Sequence, residues 1–116
     1  MADVDLTVER IDRDGLEATF AGIDATDTYF APRKNGRLIL HFKNTDGGVG
    51  TITFDVTQLQ DGVAYTDPTV SLPATTGDVQ VSGLGAVYEV PSGANKGKVK
   101  FTCDLATGVT VSALEV

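Results

Sequence analysis

The chain has 116 residues, 41% of them hydrophobic, and its nine Lys and Arg face sixteen Asp and Glu, a formal net charge of −7. This length predicts a single domain over residues 1–116, and the hydrophobic fraction is too high for a disordered chain. The acidic balance argues against nucleic-acid binding, because affinity there comes mainly from neutralised phosphates. No apolar run approaches the roughly 20 residues that span a bilayer, and the acidic start is unlike a signal peptide. We therefore expect no nucleic-acid or membrane partner.

The first third of the chain reads as strands and turns. Apolar residues at every second position predict a first strand, with residues 1–8 expected as an N-terminal arm or an edge strand: Val4, Leu6 and Val8. Asp14-Gly15 is a favoured turn dipeptide. The same alternation predicts a short second strand at Leu16, Ala18 and Phe20. The stretch from Gly22 to Asn35 is expected to be a long connection.

Residues 36–56 show the clearest alternation. Apolar residues recur at every second position on each side of a polar, glycine-rich turn: Leu38, Leu40, Phe42, then Ile52, Phe54 and Val56. Side chains in a strand switch faces at each residue, so the stretch predicts two half-buried strands paired as a hairpin. His41 lies on the polar face of the first of them.

Further short strands follow, separated by Gly and Pro turns. They are predicted around Val70 and Leu72, at Val79 and Val81, in the stretch 85–90, from Lys98 to Asp104, and from Val109 to Ala113. Val99, Phe101 and Cys103 are expected to face inward. No helical pattern is present, so the sequence predicts an all-β fold, an antiparallel β-sandwich or jelly-roll-like barrel of about eight short strands.

The basic residues are unevenly distributed along the chain. They fall in three groups: Arg10 and Arg13; Arg33, Lys34, Arg37 and Lys43; Lys96, Lys98 and Lys100. The stretch from Asn44 to Asn95 contains acidic residues and neither Lys nor Arg. This distribution predicts a folded surface with one positive and one negative part, either as ordinary solvated faces or as an oriented contact with a charged partner.

Motifs that resemble chemical sites are incomplete. The stretch around Asp12 is not a calcium loop, because Arg10 stands where a ligand is needed and the closing glutamate is missing. Gly97-Lys98 lacks the first glycine and the helix of a phosphate-binding loop. Cys103 and His41 are the only Cys and His, too few for a zinc site. A single cysteine also suits a reducing cytoplasm. We therefore expect no catalytic residue, no cofactor and no metal, and hence a protein that is not an enzyme.

The connection from Gly22 to Asn35 carries the strongest candidate contact surface. Two aromatic and two basic residues lie close together in it: Tyr29, Phe30, Arg33 and Lys34. Aromatic residues and arginine are enriched where proteins meet, so these residues are predicted to contact a partner. The alternative for Phe30 is that it fills the end of the sandwich.

Several segments, taken in order, resemble a group of small phage structural proteins. They are "IDAT" at Ile23–Thr26, "GRLILHFKNT" at Gly36–Thr45, "TITF" at Thr51–Phe54, "DPTVSLPA" at Asp67–Ala74 and "TGVTVSAL" at Thr107–Leu114. The group has similar strand and turn patterns, with an aromatic-proline stretch before the penultimate strand. This chain has only Tyr88 and Pro91 there.

The resemblance implies a function in the virion. Proteins of this group look like head decoration (cement) proteins or minor virion components, and no catalytic residue carries over from them. We therefore expect a capsid decoration protein that is made in the host bacterial cytoplasm, becomes part of the virion, and binds the major capsid protein of the same phage as a monomer or a homotrimer. The alternatives are a tail or head-tail connector component and a carbohydrate-binding β-module. The lack of Trp disfavours the last of these.

Overall fold

A computed structural model describes residues 3–56, 59–60, 63–64, 67–82, 84–85, 88–91 and 93–115. In chain order its strands are β1 (Asp3–Asp5), β2 (Val8–Arg10), β3 (Ala21–Ile23), β4 (Thr28–Pro32), β5 (Leu38–Asn44), β6 (Gly50–Phe54), β7 (Leu59–Gln60), β8 (Val63–Ala64), β9 (Thr69–Leu72), β10 (Gly77–Val81), β11 (Lys98–Cys103) and β12 (Val109–Glu115). A 3₁₀ turn covers Lys34–Gly36, and the described part of the chain contains no α-helix.

Two five-stranded sheets pack face to face as a β-sandwich. Sheet A has the order β1-β4-β11-β6-β9. Sheet B has β10-β5-β12, and the far edge of β12 is shared by β3 and β2. β7 and β8 pair only with each other among the described strands. The β-sandwich prediction is confirmed. The sheets are mixed, however, because β1 runs parallel to β4 and β2 runs parallel to β12.

Alternate residues of the central strands fill the space between the sheets. Phe101 lies at the centre, fully buried, with ring centroids of Tyr29, Phe42 and Phe54 at 5.7, 5.6 and 5.8 Å. The side chains expected to face inward are buried: Leu38, Leu40, Phe42, Ile52, Phe54, Val56, Val99, Phe101, Cys103, Val109, Val111 and Ala113. The period-2 assignment of the buried face was therefore correct for β5, β6, β11 and β12.

The predicted hairpin over residues 36–56 is wrong. β5 belongs to sheet B and β6 to sheet A, so residues 45–49 cross from one sheet to the other. Alternation determines which face of a strand is buried, but it does not determine the strand's hydrogen-bonded partner. The apolar faces of these two strands meet across the sandwich rather than side by side in one sheet.

Two further strand predictions are corrected. No strand forms over Leu16–Phe20, and the strand begins at Ala21 instead. Residues 11–20 run as irregular chain, and the Phe20 ring packs against the outer face of sheet B, 5.1 Å from the His41 ring. The supposed long connection contains β4, which lies within sheet A between β1 and β11. In the stretch 85–90, residues 86 and 87 lie outside the described residues, and Glu89 bridges to Val99.

Candidate functional site

Most of the basic residues collect at one end of the sandwich. There the connection after β4 meets the turn before β11, where the Arg33 amide donates to the Gly97 carbonyl at 3.3 Å. In sheet B the Ile11 amide donates to the Glu115 carbonyl at 2.8 Å, beside the start of β5. We call this end the basic end, and its cationic residues are Arg10, Arg13, Arg33, Lys34, Arg37, Lys96 and Lys98.

Three of these cations are neutralised within the chain. Arg33 forms an ion pair with Glu89 and also donates to the Leu84 carbonyl. Arg37 pairs with Glu115 at 2.9 Å, and Lys98 pairs with Asp5 at 3.0 Å. Within the described part of the chain no ion pair is formed by the other four: Arg10, Arg13, Lys34 and Lys96. These four supply the positive charge of the basic end that is not neutralised by an ion pair among the described residues.

The opposite end of the sandwich is acidic. The loops 24–27, 45–49, 73–76 and 104–108 meet there, and they contain four aspartates and no Lys, Arg or His: Asp24, Asp27, Asp46 and Asp104. We call this the acidic end. Lys and Arg are thus concentrated at the basic end, whereas acidic residues lie at both ends, since Asp5, Glu89 and Glu115 pair with cations of the basic end.

Carboxylates at the acidic end organise the loops. Asp46 accepts the Gly48 amide at 2.9 Å and the Thr107 hydroxyl at 3.3 Å. Asp24 accepts the amide and the hydroxyl of Thr26, and these hydrogen bonds lower the pKa of Asp24. Among the described residues no group of three or more His, Cys, Asp or Glu is arranged to hold a metal ion. Asp24 and Asp46 therefore act as structural groups that hold the turns of these loops.

The four residues predicted to contact a partner differ in burial and do not form one exposed surface. Tyr29 is 3% exposed, and its hydroxyl accepts the Asp24 amide at 2.9 Å. Phe30 is 5% exposed, so neither aromatic ring is presented at the surface. Arg33 is engaged by Glu89, whereas Lys34 is exposed and has a φ of 54°. Of the four residues, Lys34 alone is classed as exposed, and its contact with a partner stays a prediction.

A row of polar side chains on the outer face of sheet B was not found from the sequence. Ser112 on β12 lies directly opposite His41 on β5, and His41 Nε2 hydrogen-bonds to an oxygen of Asp78 on β10. These are the residue types of a nucleophile, a base and an orienting acid. The Ser112 hydroxyl is buried, however, and has no hydrogen-bond partner in the described part of the chain. The serine-to-histidine bond that activates a nucleophile is not formed.

Replacing Ser112 with Ala should leave the free energy of unfolding unchanged or raise it by about 1 kcal/mol. The substitution removes a buried hydroxyl that lacks a partner, and an unsatisfied buried polar group costs about 1–3 kcal/mol. Chemical denaturation of the two proteins measures the difference. A loss of more than about 1 kcal/mol would show that this hydroxyl makes a stabilising bond.

Cys103 and His41 are kept apart by the fold. Cys103 faces the core from sheet A, whereas His41 lies on the outer side of sheet B. Burial raises the pKa of the Cys103 thiol, because the thiolate loses its hydration there. The thiol also donates a weak hydrogen bond to the Leu105 carbonyl, with 3.8 Å between sulfur and oxygen.

The Cys103 thiol should therefore not react with a thiol reagent at neutral pH while the protein is folded. The raised pKa leaves little thiolate, and the buried position blocks the reagent. Labelling monitored by mass spectrometry, with and without denaturant, measures this. Rapid labelling of the folded protein would contradict the inward position of Cys103.

The fold defines a class, namely a two-sheet β-sandwich, here with Lys and Arg concentrated at one end and acidic loops at the other. Comparisons with protein-family models, curated proteins and solved structures found no match to the chain. In the described residues no helix has the length and apolar character to cross a bilayer.

Proposed function

We propose that this chain is a phage capsid decoration protein, which binds the outside of the assembled head and stabilises it. The observation that carries the proposal is the ordered resemblance of five segments to small phage structural proteins. In the fold these segments contribute β5, most of β6, β9 and most of β12, together with an acidic-end loop. The resemblance therefore extends over strands of both sheets, which supports a likeness of the whole sandwich rather than of one turn.

Stabilisation follows from mass action. A protein that binds only the assembled shell stabilises it by RT ln(1 + [L]/Kd) per site, which is about 2.7 kcal/mol at a hundredfold excess over Kd. Each contact can be weak, because many copies act on one particle. The partner in this proposal is the major capsid protein of the same phage. A homotrimer at local three-fold positions would match the closed symmetry of a shell.

The exposed cations of the basic end and the acidic loops at the other end give the protein a way to bind in one orientation. We assign the basic end to the shell, because Lys34 and Lys96 are exposed there and are not neutralised by an ion pair among the described residues. Complementary charge mainly selects the orientation and speeds association. The acidic end then faces solvent and contributes to the repulsion that keeps neighbouring particles apart.

The direct test is to add the purified protein to undecorated shells of the same phage, sediment them, and heat them. The proposal predicts that the protein sediments with the shells and raises their rupture temperature. A protein that stays in the supernatant, with shells that rupture at the same temperature, would contradict decoration. Binding to tails or connectors in the same assay would favour the alternative of another virion component.

Neutralising the basic end should weaken shell binding while leaving the fold intact. The variant is Lys34→Gln with Lys96→Gln, since Arg33→Glu would place a carboxylate against Glu89 and disturb the fold. Exposed charge pairs contribute about 0.2–1 kcal/mol each, so Kd should rise by about twofold to thirtyfold. Sedimentation at a series of protein concentrations measures Kd.

A matched control lowers the net charge by the same two units, but at the acidic end. Ala25→Glu with Ala106→Glu adds two negative charges to exposed positions of acidic-end loops. This control should bind shells as the parent does. Equal weakening by both variants would show that overall charge matters and that the basic end is not the contact.

A further inference from the structure

Residues 3–10 form a strap that joins the edges of both sheets. β1 pairs in parallel with β4 over Asp3–Asp5, and β2 pairs in parallel with β12 over Val8–Arg10. Between them Leu6 and Thr7 pass from one sheet to the other, and the Leu6 amide donates to the Phe30 carbonyl at 2.8 Å. The strap thus covers one open side of the sandwich with two ladders of three residue pairs each.

The strap is packed less completely than the central strands of the sandwich. Its apolar side chains, Val4, Leu6 and Val8, are only partly buried against the core. A pocket of about 400 Å³ that is partly open to solvent lies beside it, lined in part by Val111 and Ala113. Side chains that border such a pocket have fewer protein atoms in van der Waals contact than side chains of a filled core. Release of the strap therefore loses less packing than release of a central strand.

The segment that follows the strap has far more length than its path requires. From Arg10, opposite Glu115, to Ala21, opposite Val111, the span along β12 is four residues, or about 13 Å. Residues 11–20 can extend to about 33–36 Å. The surplus of roughly 20 Å is close to the shortest extent of the molecule, 23 Å. The strap can therefore reach a neighbouring molecule without unfolding the sandwich.

We propose that two copies of this chain exchange their straps, so that residues 3–10 of one copy pair with β4 and β12 of the other. A second copy is the occupant that these edges fit, because it offers the same backbone register, the same three apolar side chains and the same Asp5 to pair with Lys98. Exchange replaces each contact by an identical one, which makes domain swapping a low-cost route to association. The proposal goes beyond capsid binding and does not depend on it.

The test uses two full-length proteins, both carrying Cys103→Ala. One has Arg10→Cys and the other has Glu115→Cys, positions that are paired across β2 and β12. The mixture is held at high concentration and then oxidised, with one protein isotope-labelled so that mass spectrometry identifies each dimer. Exchange predicts a disulfide between the two different proteins, several-fold in excess of either homodimer. Dimers in the proportions of random collision, or no dimers, would overturn the proposal.

A double variant provides the control for folding and register. Arg10→Cys with Glu115→Cys in one chain, again with Cys103→Ala, should close an internal disulfide in dilute solution and remain a monomer. Failure to close would overturn the proposal, because the strap would then not pair with this edge. Both experiments use the isolated protein, so their result is independent of whether the chain binds shells.

Discussion

Replacing Phe101 with Ala should lower the free energy of unfolding by about 3–5 kcal/mol. The ring is fully buried on β11, between strands of sheet A on both sides and opposite Phe42 of sheet B. Truncation removes its contacts with three aromatic rings and leaves a cavity that the β-strands cannot close without shifting. This residue should have the largest single effect in the core, because it joins the aromatic side chains of both sheets.

Denaturant unfolding of Phe101→Ala and of the parent measures the loss. Thr102→Ala is the matched control, since Thr102 is the next residue of the same strand and only partly buried on the opposite face. The control should differ from the parent by less than about 1 kcal/mol. If the Phe101 variant melted within a degree of the parent, the assigned register of β11 would be wrong.

Replacing Asn44 with Ala should cost about 3 kcal/mol of stability, the second large effect. Asn44 is 1% exposed at the acidic end of β5. Its side-chain amide donates to the carbonyls of Gly48 and Pro73 at 3.0 and 3.2 Å, and its oxygen accepts the Asp46 amide at 2.9 Å. The alanine variant leaves partly buried backbone groups without partners, each at a cost of about 1–3 kcal/mol where water cannot replace the bond.

The comparison variant for Asn44 is Asn95→Ala. The Asn95 side chain is partly exposed and accepts one long bond, from Lys98 Nζ at 3.4 Å. Its loss should change stability by less than about 0.5 kcal/mol. Equal effects of the two variants would show that Asn44 does not hold the acidic-end loops together.

Much of the fold could be predicted from alternation alone. The inward faces of β5, β6, β11 and β12 were all assigned correctly, because each strand has one buried face and side chains alternate. The pairing could not be predicted in the same way. The loop 45–49 looks like a hairpin turn, yet it crosses between sheets, and nothing local in the sequence distinguishes the two cases.

The pairing of residues 3–10 and the surroundings of the candidate contact residues could not be predicted either, because both depend on which strands pair. Val4, Leu6 and Val8 alternate as one strand would, but the chain changes sheets between them. The cluster of aromatic and basic residues at 29–34 was predicted to contact a partner, with filling of the sandwich end as the alternative for Phe30. β4 is an inner strand, however, and Arg33 is held by Glu89, 56 positions away. Ser112, His41 and Asp78 come together only through the register of three strands.

The most direct measurement of the proposed function is the amount of this chain in purified phage particles, with heads separated from tails and each fraction quantified by mass spectrometry. Decoration of the head predicts that the chain is recovered with heads in a fixed ratio to the major capsid protein. It also predicts that the chain is accessible to protease or to surface labelling on intact heads. Absence of the chain from heads, or its recovery with tails alone, would contradict the proposed function.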